Sequence, residues 1–232
     1  MNIARAARDP NGPGMLDVSE IYRAILGESL DAGYPCVIVR LAGCHRRCRY
    51  CDTPHALAGG DPRPLGAVLA EVAAHDCRTV LVTGGEPLLQ REVLPLLAAL
   101  VADGRRVVLE TSGTCGARVG LGEVPAGVRR VVDVKTPGSG IPEEAIDWAG
   151  LRTLGAADEI KLVCTGRDDY EWARDLVRGG GRLPAGAPVS LSAAAGLLAP
   201  RELAEWILAD GLDVRFQLQL HRALWPERER GI

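Results

Sequence analysis

Continuous apolar runs recur along the chain, and segments with helical spacing of apolar residues separate several of them. The runs are mostly stretches of Val, Leu and Ile without polar alternation, which is typical of parallel strands buried on both faces. They predict eight strands: Val18–Ile25, Cys36–Leu41, Thr79–Thr83, Val107–Thr111, Val131–Val134, Glu159–Cys164, Val189–Ser192 and Val214–Leu218.

Apolar residues three or four positions apart predict the helices between these strands. The predicted helices are Leu65–His75, Leu88–Ala102, Asp168–Arg178 and Pro200–Ala209. Alternating strands and helices predict an α/β fold of mainly parallel strands, either open or closed into a barrel. Both architectures bind ligands at the C-terminal ends of strands, so we expect functional residues directly after them.

Length and charge narrow the class of protein. The 232 residues suit one domain, predicted over residues 15–232, after a flexible leader at 1–14. A net charge of −3 predicts no nucleic-acid partner. No run approaches the roughly 18 apolar residues of a membrane span, and the leader lacks the apolar stretch of a secretion signal. We therefore expect a cytoplasmic protein with no membrane association.

The seven cysteines fall into two groups. A cytoplasmic location argues against a disulfide framework. Four cysteines lie singly in or beside apolar runs and are predicted to be inert core residues: Cys36, Cys77, Cys115 and Cys164. The others, Cys44, Cys48 and Cys51, lie within eight residues directly after a predicted strand.

Three closely spaced cysteines are compatible with two kinds of metal site. A structural zinc ion takes four protein ligands, whereas a catalytic zinc ion can take three and a water. His45 is an awkward fourth ligand because it is adjacent to Cys44. A [4Fe–4S] cluster normally takes four thiolates, so three would leave one iron open to a substrate or cofactor. We favour the cluster, and zinc remains the alternative.

A second motif, "VTGGEP", follows the strand Thr79–Thr83. Gly84 and Gly85 would let a ligand approach the backbone closely, and the peptide groups there can bind an ammonium group. The alternative is an ordinary strand-to-helix turn with Pro87 at the first helical position.

Together, "CHRRCRYC" and "GGEP" resemble the radical S-adenosylmethionine superfamily. The resemblance implies a [4Fe–4S] cluster on Cys44, Cys48 and Cys51. It also implies that the amino and carboxylate groups of S-adenosylmethionine coordinate the fourth iron. The small chain implies a single-domain, partial (β/α)-type barrel.

A closer resemblance, to the 7-carboxy-7-deazaguanine synthase family, covers residue 15 to the C-terminus. It rests on segments in the same order: "VSEIYRAILGES", "GYPCVIVRLAGC", "CDTPHALAGG", "VTGGEPLLQ", "LETSG", "DVKTPGSG", "DEIKLV" and "LQLHRALWPERERGI". The resemblance implies conversion of 6-carboxy-5,6,7,8-tetrahydropterin to 7-carboxy-7-deazaguanine with loss of ammonia, on the route to queuosine. It also implies a reducing protein such as flavodoxin or ferredoxin, and a homodimer.

The resemblance assigns roles by position. Residues implied to contact S-adenosylmethionine are Tyr50, Cys51, Asp52, Gly84, Gly85, Glu86, Asp133, Val134, Lys135, Gln217 and Gln219. Thr53 is implied to bind Mg²⁺, which prefers oxygen ligands. The alternatives are a capping role for Asp133 and a loop-closing hydrogen bond from Thr53.

The residues implied to bind the substrate are Ile25, Leu26, Gly27, Glu28, Arg40, Thr83, Glu110 and Ile232. Arg40 suits a carboxylate and Glu110 a guanidine-like pterin edge, although structural salt bridges are the alternative. Leu26 stands where the family usually has Gln and can offer only its backbone. No side chain is assigned as a general base. The rival functions are a glycyl-radical activase and a non-catalytic zinc or iron–sulfur module.

Overall fold

A computed structural model describes residues 12–228 and 230–231. Its strands are β1 (Met15–Ile25), β2 (Pro35–Leu41), β3 (Asp61–Pro64), β4 (Thr79–Gly84), β5 (Arg106–Thr111), β6 (Val128–Asp133), β7 (Glu159–Cys164), β8 (Val189–Ala193) and β9 (Arg215–Phe216). They form one sheet in the order β3-β1-β2-β4-β5-β6-β7-β8-β9. Pairing is parallel from β2 through β9, and the sheet is open because β3 and β9 form its two edges. The predicted α/β fold with a partial barrel is confirmed.

The α-helices are α1 (Leu65–Ala74), α2 (Val93–Ala102), α3 (Trp148–Leu151), α4 (Arg167–Arg178), α5 (Pro200–Asp210) and α6 (Leu220–Leu224). Helices α1, α2, α4 and α5 confirm the four predicted helical segments, and their apolar residues share one core with one face of the sheet. On β2, the residues facing this core are Val37, Val39 and Leu41. Successive strand residues point to opposite faces, so the residues between them face the other side.

That other face is apolar at one end and polar at the other. Ile38, Leu81 and Val108 belong to a small separate apolar cluster. Two residues further along the same strands come Arg40, Thr83 and Glu110, and Arg40 pairs in register with Thr83. The C-terminal ends of the parallel strands therefore carry a row of polar side chains on the face without the major helices.

The structure differs from the predicted elements at the beginning of the chain. β1 runs antiparallel to β2 because the segment 26–34 joins them directly, with no crossover helix. β3, the edge strand Asp61–Pro64, was not predicted, and its two prolines are tolerated because one side of an edge strand has no partner.

The helix predicted over Leu88–Ala102 begins later, at Val93. A short 3₁₀ turn at Pro87–Leu89 precedes it, and Gln90 has an extended backbone. The Gln90 side-chain Nε2 donates to the backbone carbonyls of Asp17 and Ala42, and the side-chain Oε1 accepts from the backbone amide of Asp17. These contacts to β1 and to the end of β2 remove Gln90 from the helix. Pro95 is compatible with the remainder because it falls in the first turn.

Two further sequence expectations concern the ends of the chain and membranes. Most of the leader predicted at 1–14 lies outside the described residues. Within the described part of the chain, no helix has both the length and the apolar character needed to cross a membrane.

Candidate active site

A cavity of about 550 Å³ opens at the C-terminal ends of the parallel strands. Eighteen of the residues that the resemblance assigns to the cluster, the cofactor, the metal or the substrate line its wall on the described chain. The cluster and cofactor set is represented by Cys44, Cys48, Tyr50, Cys51, Asp52, Gly84, Gly85, Asp133, Lys135 and Gln219, and Thr53 is present as well. The substrate set is represented by Ile25, Leu26, Gly27, Glu28, Arg40, Thr83 and Glu110. The topology therefore brings distant segments of the sequence into one site.

Cys44, Cys48 and Cys51 lie in the loop after β2, half-buried and in the cavity wall. All are free thiols. Burial raises the pKa of the Cys44 and Cys48 thiols. Among the described residues, no three His, Cys, Asp or Glu side chains are arranged to share a single metal ion. A [4Fe–4S] cluster does not require this convergence, because each thiolate bonds a different iron.

The two glycines of the "GGEP" turn allow two loops to touch. A Cβ on Gly84 would lie 2.2 Å from the carbonyl oxygen of Leu41, and one on Gly85 would lie 2.4 Å from that of Gly43. The Gly85 amide donates to Leu41, and the Glu86 amide donates to Gly43. The backbone of the turn thus packs directly on the start of the cysteine loop.

Glu86 secures this turn with its side chain. The carboxylate is buried and accepts hydrogen bonds from the amides of Leu88 and Ser112 and from the hydroxyls of Thr111 and Ser112. Four donors satisfy the buried charge, as a carboxylate away from water requires. The Glu86 side chain therefore links the turn to the end of β5.

Three of the four single cysteines, Cys36, Cys77 and Cys164, are buried as predicted. The prediction is wrong for Cys115, which is exposed. Cys115 follows β5 in a turn beside the cysteine loop, where its carbonyl accepts a hydrogen bond from Arg46 at 2.6 Å. The apolar neighbours that suggested burial belong to β5, which ends at Thr111.

Buried acceptors without a protein donor lie on one side of the cavity, with Asp133 in its wall and Gln217 behind it. Among the described residues, Asp133 Oδ1 and Gln217 Oε1 are buried and have no hydrogen-bond partner. Lys135 Nζ donates to Asp133 Oδ2 at 2.7 Å and lies 5.9 Å from the centre of the Tyr50 ring. Burial opposes the charge of Lys135, but Asp133, Tyr50 and Cys48 together raise the Lys135 pKa. This side of the site offers acceptors, an ammonium group and an aromatic face.

A second network surrounds Arg40. Its Nε donates to Glu20 Oε1 at 2.7 Å, and its Nη2 donates to the Tyr22 hydroxyl at 3.0 Å. His55 Nε2 lies 3.0 Å from the same Glu20 oxygen. Arg40 Nη1 lies 3.5 Å from Thr53 Oγ1. Burial opposes the charge of Arg40, but Tyr22 and Glu20 raise its pKa, so Arg40 presents a fixed cation beside Thr53.

A third network lies on the sheet itself. Lys161, on β7, donates to Glu28 Oε2 at 2.9 Å and to Glu110 Oε1. Thr83 Oγ1 donates to the other Glu110 oxygen at 3.4 Å. Two of the residues predicted to bind substrate, Glu28 and Glu110, thus contact a lysine to which no role was assigned, and Thr83 joins them through Glu110.

The chain from α6 closes one side of the cavity. The Leu220 amide donates to the Gly27 carbonyl at 3.0 Å, and a Cβ on Gly27 would lie 2.2 Å from His221 Nδ1. Arg222 Nη2 donates to the Asp52 carbonyl at 3.2 Å. Gly27 is therefore needed for the close approach of α6, whatever its contact with a ligand.

Some predicted residues do not line the cavity. Glu86, Val134 and Gln217 lie behind its wall, with Val134 donating its amide to the Lys161 carbonyl. Ile232 lies outside the described residues. The ligand contacts proposed for these four residues stay predictions.

Sequence reasoning missed Lys161, Glu20, His55 and His221, all of which line the cavity. Lys161 carries a signal that could have identified it, since it is a single cation in an otherwise apolar, buried strand. Arg40 and Glu110, which the resemblance assigned to the substrate, carry the same signal. The other three stand in polar surroundings where a charge is unremarkable.

Comparison with known proteins agrees with this geometry. A family model described as the radical SAM superfamily matches residues 38–131. The 7-carboxy-7-deazaguanine synthase of Chlorobaculum tepidum is 41% identical over 221 residues, covering 94% of this chain and 97% of the relative. The enzyme of that name from Koribacter versatilis is 38% identical over 231 residues, covering 94% and 100%.

Two solved structures share the fold. The crystal structure of QueE from Escherichia coli matches with a TM-score of 0.69 at 23% identity, covering 89% of this chain and 95% of that one. SuiB from Streptococcus suis matches with a TM-score of 0.54 at 17% identity, covering 84% and 50%. At these identities the likeness concerns the fold alone.

Proposed function

The chain belongs to the 7-carboxy-7-deazaguanine synthase family of radical SAM enzymes, and from this premise we propose its reaction. The protein is a lyase that contracts the ring of 6-carboxy-5,6,7,8-tetrahydropterin to 7-carboxy-7-deazaguanine with loss of ammonia, in queuosine biosynthesis. The observation that carries the proposal is one cavity lined by three thiols, by a cationic Arg40 and by the carboxylates of Glu28 and Glu110.

The residues fit the cofactors of the family. Cys44, Cys48 and Cys51 would hold a [4Fe–4S] cluster, and the unpaired acceptor on Asp133 together with Lys135 and Tyr50 suits S-adenosylmethionine. When bound, the reduced cluster and S-adenosylmethionine supply one-electron cleavage chemistry that removes a hydrogen atom from the substrate. The protein positions these groups and keeps water away from them.

For the substrate, Arg40 is the proposed partner of the carboxylate, since a guanidinium group binds a carboxylate with two parallel hydrogen bonds. Glu28 Oε1 is buried without a hydrogen-bond partner on the described chain. A donor from the substrate would satisfy it, and the pyrimidine edge of the pterin carries such N–H donors. Glu110 would accept from the same edge.

A magnesium ion is the finer part of the proposal. Thr53 Oγ1 donates to Asp52 Oδ1 at 2.9 Å, so a hydroxyl and a carboxylate lie side by side in the cavity wall. Oxygen donors of this kind suit Mg²⁺, which keeps several waters and here would share the substrate carboxylate. Arg40 would have to give up its contact with Thr53 as the ion binds.

The proposed electron donor is a flavodoxin or ferredoxin. Arg47 and Arg49, which flank Cys48, are exposed, and an acidic donor would be attracted to them. A homodimer is proposed from the family resemblance, with light scattering as its test. The cytoplasmic location predicted from the sequence stays a prediction.

An anaerobic assay tests the reaction. Reconstituted protein is given reductant, S-adenosylmethionine, Mg²⁺ and 6-carboxytetrahydropterin, and mass spectrometry follows 7-carboxy-7-deazaguanine and 5′-deoxyadenosine. We expect both from the wild-type protein and neither from Cys48→Ala, whereas Cys77→Ala, which removes a buried thiol outside the cavity, retains activity.

The other outcomes identify the rival functions. Deoxyadenosine without the deazaguanine would indicate a radical enzyme with another substrate. Neither product, from protein with its full iron content, would indicate a non-catalytic iron–sulfur module.

A further inference from the structure

Lys161 is the central cation of the cavity, and the family resemblance assigns it no role in ligand binding. It lies in the middle of β7, a strand whose residues are all buried. Its Nζ donates to Glu28 at 2.9 Å and to Glu110, and it lies 3.8 Å from Asp133 Oδ2. One ammonium group thus faces three carboxylates, from the loop after β1, from β5 and from β6.

Lys161 is the counter-ion that both glutamates share, and it favours the charged form of Glu28. Burial raises the pKa of Glu28 to about 7, Lys161 acts against that rise, and Glu110 adds to it. Two neighbouring carboxylates away from water cannot both ionise cheaply without a shared counter-ion. Burial opposes the charge of Lys161, but Glu110, Glu28 and Asp133 raise its pKa well above the usual value, so it stays protonated. On the described chain, Asp52 and His221 also face this point, and Lys135 adjoins it through its ion pair with Asp133.

The geometry also orients the carboxylates. Lys161 donates a hydrogen bond to Oε2 of Glu28. The other oxygen, Oε1, is buried and has no donor on the described chain. Lys161 also donates a hydrogen bond to Oε1 of Glu110, whose Oε2 lies 3.4 Å from the Thr83 hydroxyl. One oxygen of each glutamate is therefore fixed, and Glu28 keeps a second oxygen ready to accept.

We propose that Lys161 is a positioning residue for substrate recognition, which supplies the counter-charge shared by Glu28 and Glu110 and aims both carboxylates as acceptors for the N–H donors of the pterin's pyrimidine edge. This inference rests on the proposed function. A protonated Glu28 would present a hydroxyl donor to the donor edge of the substrate, and two donors cannot form a hydrogen bond with each other. Loss of Lys161 therefore weakens substrate binding selectively.

The test compares Lys161→Met with the wild-type protein, both loaded with cluster and S-adenosylmethionine. Fluorescence titration with 6-carboxypterin, an oxidised stand-in for the substrate, gives Kd, and turnover gives KM and kcat. Loss of two charge-assisted hydrogen bonds to a recognition group predicts a rise in Kd and KM of about tenfold to a hundredfold at pH 7. The Kd for S-adenosylmethionine is expected to change by less than about threefold, because Asp133 keeps Lys135 as its closer partner.

The pH dependence separates positioning from a purely structural salt bridge. Without Lys161, Glu28 ionises only at higher pH, because the cation that acts against the rise in its pKa is gone. The affinity of Lys161→Met should therefore recover by about tenfold or more between pH 7 and pH 9. The wild-type affinity should change less over that range. Lys161→Arg, which keeps the cation, should bind better than Lys161→Met.

Arg130→Met is the matched control, since Arg130 forms a partly buried ion pair with Asp158 away from the cavity wall. It should lower the melting temperature and leave the Kd for 6-carboxypterin unchanged. If Lys161→Met does not fold, Glu28→Gln/Lys161→Met restores the charge balance and retains an acceptor oxygen. It should bind 6-carboxypterin within about tenfold of Glu28→Gln alone, and a hundredfold loss would overturn the inference.

The outcomes are distinguishable. Wild-type product formation together with an unchanged Kd and KM in Lys161→Met overturns the inference alone. A loss of affinity that does not recover at high pH also overturns it. Absence of product and of 6-carboxypterin binding in the wild-type protein overturns the proposed function, and the inference with it.

Discussion

Replacing Gly85 by alanine tests whether the glycine pair of the "GGEP" turn exists to bring two loops into contact. The added Cβ would lie 2.4 Å from the carbonyl oxygen of Gly43 and 2.8 Å from that of Ala56. An ordinary contact begins near 3.4 Å, so the cysteine loop would have to retreat by about 1 Å. The hydrogen bond from the Gly85 amide to Leu41, 3.0 Å long, would be strained by the same movement.

The cost of this retreat follows from its position. Overpacking of a close contact costs about 1–3 kcal/mol of folding free energy. For a chain of this size that is a fall in melting temperature of about 2–10 °C. The movement also displaces the loop that carries Cys44, and a misplacement of about 1 Å at a reacting centre can reduce the rate about a hundredfold. We therefore expect the rate of product formation to fall about a hundredfold while the protein stays folded.

The assay measures iron per chain, melting temperature and the initial rate of deazaguanine formation under anaerobic conditions. Gly66→Ala is the control, because a Cβ there meets nothing within 4 Å in the first turn of α1. It should stabilise the protein by about 0.5–1 kcal/mol through helix propensity. If Gly85→Ala keeps its iron content and a rate within twofold of wild type, the steric reasoning is wrong.

Three further predictions concern other parts of the molecule. Thr53→Ala should raise the Mg²⁺ concentration needed for half-maximal product formation at least about tenfold, because one oxygen ligand is lost, and leave iron content unchanged. Glu20→Gln should raise the KM for the pterin about tenfold with little effect on kcat, because Arg40 loses the charged partner that fixes its orientation. Asp158→Asn should destabilise the protein by about 3 kcal/mol at pH 7 in urea unfolding. Burial opposes ionisation of Asp158, but hydrogen bonds from Arg130 lower its pKa below 3.8. The stabilisation is therefore present above pH 4 and should disappear as the pH falls through the native pKa. An unchanged Mg²⁺ dependence, an unchanged KM or a loss of stability independent of pH would contradict the respective prediction.

The strands were predictable because a buried parallel strand needs apolar residues on both faces. β7 is observed with the bounds predicted for it, and most other strands differ by one or two residues. The direction of β1 was not predictable from its own residues, since it depends on the absence of a helix in the following loop. The late start of α2 was not predictable either, because it depends on contacts with distant parts of the chain. Gln90 is an acceptable helix residue, and only its contacts with Asp17 and Ala42 remove it.

The site was predictable where a charge interrupts an apolar strand. Arg40 and Glu110 stand out in this way, and Lys161 carries the same signature. The partners of these charges were not predictable, because they depend on the register of strands far apart in the sequence. Glu20 reaches Arg40 only because β1 and β2 pair antiparallel with the two residues opposite each other. The exposure of Cys115 depends similarly on where β5 ends.

The contact between Gly27 and α6 has a consequence for the order of assembly during synthesis. The cysteine loop leaves the ribosome early, whereas the helix that closes the cavity beside it is among the last segments to be made. Joining segments so distant in the chain is slow, because the entropy of closing the loop must be lost before the contact forms. The three thiols therefore spend most of translation without their full enclosure. During that interval the nascent chain is open both to the machinery that delivers iron and sulfur and to competing metals and oxidants.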